Sequence, residues 1–174
     1  MKIVKLGING CFKISLKPHK DKRGFFLRTY CKQEFKKFKI NDRWVKNNMC
    51  LNKKKYTLRG LHLQDIPFQE DKFVICVQGA VIDYVLDLRK KSKTYMKLLK
   101  INLSDKNFDS IYVPRGCAHG YLTLKKNTLI SYHATNYYNK KKEKLFSFFD
   151  KRLKIDFPFK PKYISKKDLK PSSI

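Results

Sequence analysis

Apolar and polar positions alternate along this chain in short runs that turn residues keep interrupting. Residues 2–8 and 11–16 are alternating or rich in strand formers on either side of Gly10, which predicts two short strands and a turn. Residues 17–23 are polar, contain Pro18 and read as a loop, and Gly24 leads into the strand-like Phe25-Phe26-Leu27. Phe35 and Phe38 lie three apart within residues 32–39, the spacing of one face of a short helix. Strand patterns return at 43–52 and 58–64, separated by the basic turn Lys53-Lys54-Lys55. After a polar loop at 65–71 that contains Pro67, residues 72–77 and 81–88 flank Gln78-Gly79-Ala80, a hairpin signal. Further strands are predicted at 95–103, 110–113, 118–124 and 129–135, with a turn at Pro114-Arg115-Gly116. Residues 137–144 read as an aromatic then basic loop, and the tail from Asp150, rich in proline and lysine, as irregular.

Turn signals recur about every 8–12 residues, the rhythm of an all-β sandwich or jelly-roll barrel with short peripheral helices rather than of βαβ units. No repeat or linker divides residues 1–174, so a single domain is expected, long enough for a full core. Charge adds one element to this picture. Forty-one Lys+Arg against 14 Asp+Glu give a net charge of +27, a field that draws polyanions and phosphorylated metabolites alike. The lysines are scattered, and Lys, Asn, Ile, Phe and Tyr are all plentiful, as in a compositional bias. The run Lys140-Lys141-Lys142 follows Tyr137 and Tyr138 but reads as a solvated loop, and no nucleic-acid-binding signature occurs, so nucleic acid is not an expected partner. A hydrophobic share of 42% excludes a disordered chain. No stretch approaches the ~20 apolar residues of a membrane span and no apolar leader opens the chain, which points to a cytoplasmic protein with no membrane partner. Cys11, Cys31, Cys50, Cys76 and Cys117 are odd in number, widely spaced and free of CxxC, which fits a reducing compartment.

The candidate chemistry centres on Leu58-Arg59-Gly60-Leu61-His62-Leu63-Gln64. A histidine can take up a proton near neutrality, and a carboxylate partner would orient its ring; Asp83, Asp87 and Asp168 are candidates. A lone histidine is most simply a hydrogen-bonded structural residue. What changes the balance is its company: Arg59 three residues before it and Lys72 opening the next strand, two cations suited to a diphosphate or a developing oxyanion. Tyr132, Tyr137 and Tyr138 flank Ala134-Thr135-Asn136 and could donate a proton or stack on a base, or simply pack against the barrel. Pro114-Arg115-Gly116-Cys117-Ala118-His119 resembles the second motif of metal-binding cupin jelly rolls. The first cluster lacks its second histidine, so His62 and His119 fall short of the three protein ligands of a catalytic zinc, and no metal is expected.

DKRGFF (21–26), LRGLHLQ (58–64), the Lys72 strand, DYVLDLRKKSKTY (83–95), VPRGCAHGY (113–121), YHATNYYNKKKE (132–143) and ISKKD (164–168) together resemble the dTDP-4-dehydrorhamnose 3,5-epimerase family, a cupin-type jelly roll acting on nucleotide sugars. The resemblance implies His62 as general base oriented by Asp168, Tyr132 as general acid on the opposite face of the sugar, and Lys72 as the cation that stabilises an enolate. It implies substrate contacts from Arg23, Asn47, Asn48, Arg59, His119, Glu143 and Lys167, with Tyr138 stacking on the nucleotide base. The implied substrate is a nucleoside-diphosphate 4-keto sugar, the reaction needs no cofactor, and the implied assembly is a homodimer exchanging N-terminal strands, with Arg23 serving the partner's site. Three positions depart from the family's pattern: Arg28 replaces a common glutamate, Lys46 a common glutamine and Cys50 a usual serine. The first two help hold thymine in relatives, and a guanidinium cannot accept from a base N–H, so a different nucleotide stays open. Two rival expectations stand beside the main one: an enzyme that inverts C3 alone or moves the keto group, and a non-catalytic basic cupin module binding polyanions.

Overall fold

The computed structural model describes residues 1–170. In chain order its strands are β1 (Lys2–Lys5), β2 (Phe12–Ser15), β3 (His19–Asp21), β4 (Gly24–Phe26), β5 (Lys46–Asn52), β6 (Thr57–Gln64), β7 (Lys72–Gln78), β8 (Ala80–Asp87), β9 (Leu98–Ser104), β10 (Asp109–Val113), β11 (Cys117–Thr123), β12 (Thr128–Ala134), β13 (Glu143–Leu145) and β14 (Tyr163–Ile164). A short helix α1 (Lys32–Lys37) and 3-10 turns at Lys140–Lys142 and Lys151–Leu153 complete the set. One sheet runs β1-β2-β10-β7-β12-β5; the facing sheet runs β13-β6-β11-β8-β9, with β14 added parallel to β6. From β5 to β8 each strand lies in the other sheet from the one before it, as do β10, β11 and β12, which makes this a jelly roll of the cupin type.

Three apolar layers follow from strand alternation. Between the sheets, Val74, Cys76, Val85, Ile111, Val113, Tyr121 and Ile130 form the central core. Phe73 and Ile75 point the other way from β7, on the same sheet face as Phe12 and Ile14 of β2, and this layer packs against Phe35 of α1 and Ile40. On the second sheet's outer face, Leu58, Leu61, Tyr84, Leu86 and Leu122 lie under Phe146, Phe148 and Leu153 of the C-terminal segment. Each sheet is thus covered on both faces over most of its area, while Met49 and Leu51 of β5 and Val77 of β7 stay exposed on the outer face of the first sheet.

The hairpin expected at Gln78-Gly79-Ala80 does not form. Gly79 alone joins β7 to β8, and the two strands belong to opposite sheets. A tight hairpin needs a two-residue loop, whereas Val81–Asp87 is buried along its whole length and needs neighbours on both sides. Gly79 has φ +86°, and a Cβ there would fall 2.5 Å from Thr128 Oγ1, so the crossover depends on glycine.

Strand β9 begins at Leu98 rather than at residue 95. Asp87 accepts from Ser92 Oγ (2.6 Å), Thr94 Oγ1 (2.6 Å) and Arg89 Nε (2.8 Å), tying residues 88–97 into a knotted turn. Strands β3, β13 and β14 occupy stretches that read as loop or irregular tail. Strand β3 is exposed throughout and folds onto β4 through the Asp21–Arg23 turn. Strands β13 and β14 are made by backbone pairing to β6, which leaves no apolar alternation to read. The last four residues of the tail, and of the expected domain, lie outside the described residues.

Candidate active site

Strand β6 sets the site because it carries one residue too many. His62 pairs with His119 and Arg59 with Tyr121, so three steps along β6 match two along β11. That is a β-bulge, and it falls at Gly60. In an even strand, residues three apart point to opposite faces; the bulge turns both Arg59 and His62 into the space between the sheets. Gly60 has φ +104°, and a Cβ on it would lie 2.7 Å from Gly120 Cα, so the glycines of RGLH and AHGY are required where the two strands touch.

The cavity has two adjoining lobes of about 270 Å³ each. His62, Lys72, Tyr132, Tyr138 and Glu143 line both. The first lobe adds Arg59, His119, Lys167, Cys50 and Tyr121; the second adds Lys46, Asn48, Gln64 and Glu70. Lys72 and Tyr132 stand on neighbouring strands, where Tyr132 pairs with Val74 and Ala134 with Lys72, so both point inward two residues apart.

His62 Nε2 lies 2.6 Å from Asp168 Oδ1. The C-terminal turn after β14 delivers that carboxylate, and Ser165 Oγ accepts from the Asp168 backbone N–H. Burial works against the Asp168 charge, but the hydrogen bond and electrostatic attraction to the His62 imidazole, with help from Ser165 and the Gly60 amide, hold its carboxyl below the usual range. His119 is paired differently: its Nε2 lies 2.8 Å from Asp83 Oδ2, a fully buried carboxyl whose pKa burial pushes up. Asp87, the third candidate partner, is committed to Arg89, Ser92 and Thr94.

Burial and the negative charge of Glu70 raise the Tyr132 phenol, which keeps it protonated at neutral pH. Glu143 accepts from Tyr138 OH (2.8 Å) and Lys167 Nζ (2.6 Å). Burial opposes its charge and these two bonds favour it, leaving its carboxyl below the ordinary value. The bond to Glu143 and then burial push Tyr138 up to about 12.

Three residues of the expected set do not line the cavity, and one of them, Asp168, acts on it only through its bond to His62. Asn47 alternates with Asn48 on β5, so it faces outward and accepts from Ser131 Oγ (3.0 Å). Arg23 lies on the exposed β3–β4 ribbon, bound to Asp21 at 2.6 Å. Glu70, Gln64 and Tyr121 were not singled out from the sequence. Gln64 closes the LRGLHLQ stretch and holds the Asn139 amide (2.9 Å), which starts the turn leading to Glu143. Among the described residues, no three His, Cys, Asp or Glu side chains converge as a metal-ligand set.

The sequence profile described as dTDP-4-dehydrorhamnose 3,5-epimerase matches residues 5–174. The chain belongs to the dTDP-4-dehydrorhamnose 3,5-epimerase family. The enzyme of that name from Sinorhizobium fredii is 35% identical over 162 residues, 91% of this chain and 83% of the relative. The crystal structure of the Bacillus anthracis enzyme, with TDP and pyrophosphate bound, superposes with a TM-score of 0.96 at 29% identity, covering 99% of both chains. The Legionella pneumophila epimerase in complex with dTDP-4-keto-L-rhamnose gives a TM-score of 0.91 at 30% identity, covering 97% of this chain and 89% of that one. Membership of this family makes the protein an epimerase. Among the described residues, no helix is long and apolar enough to cross a membrane.

Proposed function

We propose that this epimerase inverts C3 and C5 of a nucleoside-diphosphate 4-keto-6-deoxyhexose, converting dTDP-4-dehydro-6-deoxy-D-glucose to dTDP-4-dehydro-L-rhamnose. The observation that carries the reading is that the Asp168-bonded His62, Tyr132 and Lys72 line one cavity in a member of this family. The C4 ketone acidifies the hydrogens on C3 and C5. With Nε2–H donated to Asp168, His62 Nδ1 holds the free lone pair and takes a proton from the ring. The electron pair moves into the C4 oxygen, where the Lys72 ammonium balances the enolate charge. Tyr132 then gives its phenolic proton to the opposite face of the same carbon, after which solvent returns a proton to the phenolate and takes from His62 the one it gained. Arg59, His119 and Lys167 meet the negative charge of the diphosphate in the first lobe. Asn48 and Glu143 contact the substrate from the cavity wall, and Tyr138 stacks on the base.

The assembly that fits this reading is a homodimer exchanging N-terminal strands. Phe25 and Phe26 are 57% and 65% exposed on the β3–β4 ribbon beside Arg23, a surface that a second copy would cover. In that dimer Arg23 serves the partner's cavity. Sedimentation of the protein should give twice the 20.8 kDa chain; a monomer that is fully active would contradict the exchange.

The reaction is tested by incubating the enzyme with the 4-keto sugar nucleotide in deuterated water and reading the sugar by NMR. Deuterium at both C3 and C5 is expected. Deuterium at C3 alone would assign the C3-only reaction, and none at either carbon would overturn the reading. Running the same assay with dTDP-, GDP- and CDP-linked sugars reads out the nucleotide at the Arg28 and Lys46 positions.

A further inference from the structure

The second lobe of the cavity holds a charge arrangement that the mechanism above does not use. Ala134 is paired in register with Lys46 on one side and Lys72 on the other, so the two lysines flank it on one face of the sheet. An alanine leaves the space above it free. Glu70, from the loop preceding β7, sits between them: its Oε1 is 3.4 Å from Lys72 Nζ and its Oε2 is 2.7 Å from Lys46 Nζ. The Lys46 contact is an ion pair by distance without hydrogen-bond alignment, and Oε2 has no other partner. Only 7% of the Glu70 side chain is exposed, against 12% of Lys72 and 20% of Lys46.

Buried ion pairs are poor stabilisers, because desolvation consumes most of their attraction. A three-charge cluster lining a reaction cavity therefore calls for a role in that cavity. Lys72 must offer N–H donors to an oxygen that becomes negative only during the reaction. A close carboxylate would occupy those donors. A missing one would let a four-carbon side chain wander. The unequal contacts answer both demands, since Lys46 takes the near approach and Glu70 holds Lys72 loosely.

We propose that Glu70 and Lys46 are positioning residues for the epimerisation, one carboxylate shared between two ammonium groups so that Lys72 is aimed at the ketone oxygen without being neutralised. This rests on the function proposed above. Glu70 aims Lys72; Lys46 limits how tightly Glu70 can grip it.

The test compares kcat and KM of wild type, E70Q, K46Q, E70D and the K46Q/E70Q double variant on the 4-keto sugar nucleotide, with thermal melts confirming folding. E70Q is expected to lower kcat about tenfold, the scale of a misaimed catalytic group, with KM changed by less than about twofold. K46Q is expected to lower kcat to a similar extent, because Glu70 then grips Lys72 fully. E70D, which keeps the charge on a shorter arm, should fall between wild type and E70Q. Losing both charges removes the grip along with the aim, so the double variant should be no slower than K46Q, and the two losses should not multiply. Unchanged kcat in E70Q, losses that multiply, or an effect of K46Q on KM alone would overturn the proposal; the last would make Lys46 a substrate contact instead. If E70Q does not fold, K46Q against the double variant decides the same point. An inactive wild type would instead refute the underlying function.

Discussion

His62 and His119 face each other across β6 and β11 as register partners, and each offers Nε2 to an aspartate. The settings around the two pairs differ. The His62 side chain is 32% exposed and opens onto the cavity, while His119 is 10% exposed and its partner Asp83 is fully buried in the middle of β8. Asp168 arrives on a turn of the C-terminal segment, and its carboxyl is held below the usual range by the imidazole it touches. Asp83 has one oxygen on His119 and the other without any partner, and burial raises its pKa. One histidine–carboxylate contact thus opens onto the cavity, where the proposed function makes its imidazole the base, and the other is a buried clamp beside it. Solvent access and the supply of hydrogen-bond donors to the carboxylate, rather than the pairing itself, separate the two.

Swapping each carboxyl for its amide sharpens that contrast. Asp168→Asn should cut kcat about 10²-fold, since the amide can turn its NH₂ toward Nε2 and favour the wrong tautomer of the base. Asp83→Asn should change kcat by less than about fivefold and act mainly on KM, through His119. Equal losses in the two variants would erase the distinction.

The same variants should show opposite pH slopes in stability. The folded pKa of Asp168 is depressed, so its contribution is complete above the unfolded value near ~3.9 and is lost as pH falls through the folded one. The folded pKa of Asp83 is raised, so its charge opposes folding increasingly as pH rises from ~3.9 toward the folded value. Asp168→Asn should therefore lower the melting temperature at pH 7 by about 2–4 °C, the shift of about 1 kcal/mol in a chain of this size, and by less at pH 3. Asp83→Asn should fare better relative to wild type at pH 7 than at pH 3. Melting curves across that range read both slopes.

The strands of the barrel were legible because alternation marks half-buried segments, and the β5, β6, β7, β10, β11 and β12 patterns all mark real strands. Their partners were not legible. The 78–80 turn looked like a hairpin because a glycine between two apolar strands reads the same whether the chain folds back or crosses to a facing sheet. Strands β13 and β14 borrow their existence from the edge of β6 and carry no pattern of their own. Within the site, His62, Arg59, Lys72 and Tyr132 stood out by residue type and motif. The bulge at Gly60 that puts Arg59 and His62 on one side is a register event invisible to alternation. Asn47 and Asn48 looked equivalent in sequence, and only the strand's period of two sends one into the cavity and the other out. Glu70 gave no signal in a polar loop, because its partners come from two other strands.

The central claim is that a base and an acid act from opposite faces of the sugar, and one paired experiment addresses it. His62→Ala and Tyr132→Phe are compared in deuterated water, with hydrogen exchange and inversion at C5 read separately by NMR. His62→Ala should lose both, by about 10³-fold, whereas Tyr132→Phe should keep exchange and lose inversion, since the proton still leaves but returns to the face it left. A Tyr132→Phe enzyme that still inverts C5 at the wild-type rate, or a His62→Ala enzyme that still exchanges, would contradict the account.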